Sequence, residues 1–249
     1  NPSEIFDQLT KDKHIMDCAN DISKYYDDLA DAMHWYKALG EGTFTIKTDD
    51  GTKITKTISK YDLKKKIWLA LMAVNALEGL RFYSNFAVFF LGGEIGTMEG
   101  TAKIIKLICR DENLHLSFTQ KLIKSILKKD DPDFIKIELE CQDESVAIYE
   151  NAIQQECEWI DDIYRNGSLI GLNEVLSKNY VYFMGAQRMK AIGLTPSFTA
   201  PTTNPLPWMN SWINSGSTQV APQEVEITSY VVGGVSQDIG QDTFKGFEL

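Results

Sequence analysis

Apolar positions recur with a helical period along most of this 249-residue chain. Over residues 11–39, Ile15, Ile22, Tyr26, Leu29 and Met33 share one face, and Gly40 and Gly42 end the run. The period then drops to two. Residues 43–47 and 53–57 alternate on either side of Asp49-Asp50-Gly51, which predicts a β-hairpin. Ser59 offers an N-cap, with Asp62 three residues on as its capping partner. The helix that follows is apolar on most of its circumference and is expected at the centre of the molecule. It should run to about Leu91 and stop at Gly92-Gly93. Further helices are predicted over residues 97–128, 132–167 and 172–192. Pro196, Pro201, Pro205 and Pro207 mark irregular chain, and residues 208–212 a short helix or turn docked on the bundle. Residues 223–249 carry four glycines and no helical pattern, so they read as a flexible tail. The pattern gives an all-α helical domain, residues 1–222, with a hairpin inserted near 43–57, and a tail, 223–249.

Composition narrows the class. Hydrophobic residues at 43% and charged residues at 24% are ordinary for a globular protein with a sizeable core. A net charge of −10 argues against a nucleic-acid backbone as the main partner. Cys18, Cys109, Cys141 and Cys157 form no C-x-x-C pair. The last three fall within helical patterns, as buried or half-buried free thiols would, which suits a reducing cytoplasm. No signal peptide is apparent, and the apolar stretch 67–93 is broken by Asn75, Glu78, Arg81 and Asn85, which argues against a membrane span. The chain opens on Asn1-Pro2 without Met, as a processed product or a fragment would.

Three residues carry candidate chemistry. Glu78 sits among Leu69, Leu71, Met72, Val74, Leu77 and Leu80. A carboxylate buried there needs a partner: a salt bridge to Arg81 or Arg110, or a metal. Glu112 and His115, three apart on the next helix, share a face and can reach one cation. Carboxylate plus imidazole suits Fe or Mn. Ile108 lies on the same face, and Asp111, four residues before His115, is placed to accept from an imidazole on this or a facing helix. Dinuclear carboxylate bundles use a Glu from each of two helices and a Glu-x-x-His from each of two others. One of each is present here, so Glu78, Glu112 and His115 make half a site. Phe82 and Phe86 follow Glu78 at helical spacing, as core packing or as a dry wall beside a metal. His14 and His34 read as surface or core-edge residues. In the tail, residues 222–230 mix carboxylates with Tyr230, and the chain ends Phe244-Lys245-Gly246-Phe247-Glu248-Leu249, either unstructured or a linear docking peptide.

These residues resemble a known family, the radical-generating small (beta) subunit of class I ribonucleotide reductase of bacterial and phage type, its C-terminal part only. The resemblance covers essentially the whole chain. It rests on residues 75–83, on 102–105 through 110–116, on Asn204-Pro205-Leu206-Pro207-Trp208, and on Val220-Ala221-Pro222-Gln223-Glu224-Val225-Glu226, in that order. It implies a ferritin-like bundle holding a di-iron (or manganese) site. Glu78 and His115 would be ligands of the second iron and Glu112 a bridging carboxylate. Asp111 would lie on the radical path, and Phe82, Phe86 and Ile108 around the radical tyrosine. Tyr230 would relay the radical between subunits, with Glu224 needed for that relay. The terminal peptide would dock on the large subunit, where ribonucleotides become deoxyribonucleotides for DNA replication. The family's first half, with its Asp ligand, a further Glu-x-x-His and the radical tyrosine, has no counterpart here; Tyr25 and Tyr26 lie on a later helix. The resemblance therefore implies an oxidoreductase subunit, inactive without a complementing N-terminal fragment and the large subunit, and a homodimer once complete. A non-catalytic module that only docks on the large subunit, and an unrelated di-iron oxidase, are the alternatives. The tail around Tyr230 speaks against the oxidase.

Overall fold

A computed structural model describes residues 2–47 and 51–213. The short helix α1 (Pro2–Leu9) precedes α2 (Lys13–Leu39). Asp12 caps α2, its carboxylate accepting from the Ile15 N–H at 3.2 Å, and Gly40 closes it at φ 74°. Strands β1 (Gly42–Lys47) and β2 (Lys53–Ile58) pair antiparallel, Gly42 opposite Ile58 and Lys47 opposite Lys53. The hairpin is where the change of period placed it.

Ser59 caps the next helix as expected, its hydroxyl accepting from the Asp62 N–H. That helix is α3 (Lys60–Ala76). It runs through a π-helical turn, Leu77–Arg81, into α4 (Tyr83–Glu94). This continuous rod is the centre of the molecule. Trp68, Met72, Leu80, Tyr83 and Phe90 on it are fully buried, and α2, α5, α7, α8 and α9 pack around it. The rod does not stop at Gly92-Gly93. Both glycines are helical, and the chain turns at Gly96, φ 72°. Gly93 serves close packing instead: a Cβ there would lie 2.6 Å from Trp212 and 2.8 Å from Ala102.

Helix α5 (Glu99–Lys121) returns along the rod and ends in a second π turn, Leu122–Ile126, and the short α6 (Leu127–Asp130). The expected single helix over 132–167 is two, α7 (Asp133–Glu140) and α8 (Gln142–Tyr164). Cys141 interrupts it, and its carbonyl takes the Ser145 hydroxyl at 2.7 Å. Trp68 donates to that same hydroxyl, so the kink is where the central rod docks. Buried Ile137, Cys141, Ser145, Ile148 and Ala152 stay in phase across the break, which is why the pattern alone does not reveal it.

Helix α9 (Glu174–Ala191), capped by Asn173, completes the bundle. Helix α10 (Met209–Ile213) docks through Trp212, stacked on Phe90 at 4.9 Å and 11°. Cys109, Cys141 and Cys157 are buried free thiols. No helix among the described residues is long and apolar enough to cross a membrane.

Candidate metal centre

Glu78 stands on the π turn of the central rod. Such turns break the regular ladder of backbone bonds and recur at functional sites. Here the turn lies flush on its neighbours. A Cβ at Gly79 would meet Leu116 at 2.9 Å and Arg188 at 3.4 Å. Glu112 and His115 come from one face of α5, as their spacing predicted.

The three side chains converge. His115 Nδ1 lies 3.6 Å from a Glu78 oxygen and 3.5 Å from a Glu112 oxygen. One donor atom from each falls within 4.8 Å of the others. The Glu78 and Glu112 side chains are 17% and 18% exposed, whereas His115 is 58% exposed. Glu78 Oε2 is buried with no hydrogen-bond partner. Burial, the dominant cause, and the nearby Glu112 charge push the Glu78 carboxyl up, and His115 opposes them. Two carboxylate oxygens and an imidazole nitrogen, one oxygen unpartnered, form a donor set that fits a divalent iron or manganese ion.

Arg81 does not neutralise Glu78. It turns to the other side of the rod, donating to Gln155 at 2.5 Å and facing Asp21 at 3.5 Å. Asp111 is exposed and pairs with Arg110 at 3.5 Å rather than with His115, so of the two imidazoles it was expected to orient, one on a facing helix is left. The aromatics form a continuous file. Phe82 stacks on Phe86 at 6.1 Å, Phe86 lies 5.9 Å from Phe90, and Phe90 meets Trp212. Ile108 is exposed on α5 with Ile104, Leu114 and Phe118, beside His115. His34 is exposed, as expected. Glu224, Tyr230 and the docking peptide lie outside the described residues.

Sequence reasoning missed several supporting groups. Arg188 on α9 donates to the Gly79 carbonyl and to the Tyr83 hydroxyl, and Tyr83 donates to Asn113 on α5 at 2.8 Å. Burial, only partly offset by Arg188, pushes the Tyr83 phenol up to about 12, so it stays protonated and a donor. Tyr26 on α2 comes within electrostatic reach of Glu78. Nothing in the spacing of Arg188 or Tyr83 marks them, because each acts through a contact between distant elements.

A helical bundle that gathers two carboxylates and an imidazole from two of its helices is of the ferritin-like type. The comparisons narrow the class. Residues 1–205 match the family model for the small chain of ribonucleotide reductase. The chain is 43% identical over 250 residues to the ribonucleoside-diphosphate reductase 1 subunit beta of Escherichia coli O157:H7, covering all of this chain and 65% of that one. It is 36% identical over 261 residues to subunit beta of Enterobacteria phage T4, covering 66% of it. The ribonucleotide reductase R2 subunit from Clostridium botulinum superposes with a TM-score of 0.63 over 85% of this chain and 56% of that one; at 24% identity it supports the fold alone. The chain thus spans about 65% of the length of these curated relatives. It belongs to the ribonucleotide reductase small-chain family.

Proposed function

We propose that this chain forms part of the small subunit of a ribonucleoside-diphosphate reductase and contributes half of its di-iron (or di-manganese) site. The observation that carries this reading is the convergence of Glu78, Glu112 and His115 with a buried Glu78 oxygen left unpartnered. Glu78 and His115 would hold one ion, with Glu112 positioned to bridge to a second. The remaining ligands would come from helices outside this sequence, on the same polypeptide or another. The bulky apolar side chains exposed beside His115 support that arrangement, because a covering helix pair would bury them.

When bound, a metal pair would supply the one-electron oxidising chemistry for a tyrosine on the complementing segment, with dioxygen as the external oxidant. This chain's own residues then have defined tasks. Glu78 and Glu112 bring negative charge to the cations. Phe82 and Phe86, stacked at 6.1 Å, belong to the apolar pocket proposed around the radical tyrosine. Tyr230, with Glu224 in the same tail segment, relays the radical toward the large subunit, losing and regaining its phenolic hydrogen. Asp111 belongs to the same path and takes its partner from outside this sequence. The terminal peptide, with Phe244, Phe247 and Leu249 as anchors, docks on the large subunit, which binds the ribonucleotide. The complete small subunit acts as a homodimer in the cytoplasm.

The test is metal titration with electron paramagnetic resonance on the 249-residue chain, alone and mixed with the N-terminal third of a relative. Alone, the chain should bind metal weakly and show no stable tyrosyl radical, because half a ligand set leaves a cation under-coordinated. Addition of the segment should restore both. A stable radical in the chain alone, or no gain on mixing, overturns the reading.

A further inference from the structure

Glu78 depends for its position on a turn whose backbone is irregular, and one side chain from another helix grips that turn. Arg188 on α9 lays its stem against Gly79, where a Cβ would meet its Cγ at 3.4 Å. Its Nε donates to the Gly79 carbonyl at 3.4 Å. Its Nη2 donates to the Tyr83 hydroxyl at 3.1 Å, and the guanidinium carbon lies 5.3 Å from the centre of that ring. Tyr83 passes the link on, donating to Asn113 Oδ1 at 2.8 Å. Asn113 lies between Glu112 and His115 in sequence, and its amide donates to the Ile213 carbonyl at 3.5 Å. Three hydrogen bonds therefore run from the residue after Glu78 to the residue after Glu112. They join α9, the π turn, α4 and α5.

We infer that Arg188 is a positioning residue for the metal half-site, setting the placement of Glu78 against Glu112 and His115 through Gly79, Tyr83 and Asn113. The inference rests on the metal reading above for its purpose. A planar guanidinium is suited to the task because it addresses a carbonyl and a phenol at once while stacking on the ring. A lysine ammonium, a compact point charge, does not reproduce that fork. Gly79 is the complementary requirement, since a Cβ there would lie 2.9 Å from Leu116, the residue after His115, and fill the space against the Arg188 stem.

The full chain is titrated with Co²⁺, whose visible absorption reports coordination geometry. Arg188→Met should weaken Co²⁺ binding ~10–100-fold, the usual effect of losing a group that orients metal ligands, and should shift the absorption bands. Tyr83→Phe, which keeps the Gly79 bond and cuts the link to Asn113, should fall between. Arg188→Lys should recover the melting temperature but not the Co²⁺ affinity. Gln187→Met, an exposed neighbour on α9, should leave both unchanged. Amide hydrogen exchange without metal gives a second readout: Arg188→Met should speed exchange at residues 77–81 more than elsewhere. Exchange at the turn unchanged in Arg188→Met, or affinities that merely follow melting temperature across the set, overturns the assignment. If Arg188→Met fails to fold, Arg188→Lys and Tyr83→Phe decide the matter by the same criteria. Co²⁺ absorption that ignores Glu112→Gln would sink the metal reading instead, and the exchange result still decides what Arg188 does.

Discussion

Glu78 and His115 lie 3.6 Å apart, oxygen to Nδ1, although one sits on the π turn of the central rod and the other on α5. The contact leaves the other Glu78 oxygen buried and unpartnered. Such a group does not serve stability, because an unsatisfied buried polar atom costs ~1–3 kcal/mol. Glu78→Gln should therefore stabilise the metal-free chain, by about 1 kcal/mol, and remove the thermal shift that divalent metal produces. Melting curves with and without Mn²⁺ measure both. A variant less stable without metal, yet equally responsive to it, would show that Glu78 is a structural residue.

The convergence of Glu78, Glu112 and His115 was legible in the sequence because its grammar is local. Glu112 and His115 are three apart on one helix, and Glu78 is an acid in an apolar run. The hairpin was legible because the period changes from 3.6 to 2 at Gly42. The π turn under Glu78 was not, since a one-residue change in the backbone ladder leaves no mark in a rod buried on nearly every side. The Cys141 break stayed hidden because the buried positions keep phase across it. Gly92-Gly93 misled for a related reason: glycine ends helices and also permits close approach, and only the location of Trp212 tells which.

That approach yields a stability prediction. A methyl group at Gly93 would meet the Trp212 ring at 2.6 Å and Ala102 at 2.8 Å. Gly93→Ala gains up to ~1 kcal/mol in helix propensity, but overpacking a close contact costs ~1–3 kcal/mol. Sterics should win, with a net loss of about 1 kcal/mol and a change in Trp212 fluorescence as its stack on Phe90 opens. Urea denaturation checks the sign. A stabilised variant would mean that α10 yields without cost.

The terminal peptide and Tyr230 should separate under mutation. Deleting the last ~20 residues should abolish binding to the large subunit while the bundle keeps its melting temperature, because docking peptides concentrate affinity in a few bulky anchors. Tyr230→Phe should do the reverse, with binding kept and radical relay lost, since only the phenol gives up and regains a hydrogen. Surface plasmon resonance and a turnover assay on the reconstituted enzyme distinguish the two. Full-affinity binding by the truncated chain would remove the docking role.

On the far side of the rod from Glu78, Glu156 of α8 is buried and takes a hydrogen bond from Ser84 of α4. Burial outweighs both that bond and the neighbouring Arg81 charge, and its pKa is raised from 4.5 to about 7. The carboxyl thus holds its proton more tightly in the fold than in the unfolded chain. Its contribution to stability is full below about pH 4.5 and is lost as pH rises through about 7. A shift of that size corresponds to roughly 3 kcal/mol. Between pH 5 and 8 the chain should lose part of its stability on this account, over and above the effect of its acidic surface. Glu156→Gln keeps an acceptor for Ser84 and cannot ionise. Its free energy of unfolding should fall less over the same range, so that the variant overtakes the parent near pH 8. Parallel stability curves for the two proteins would show that Arg81, 8% exposed and close by, already neutralises the ionised carboxylate.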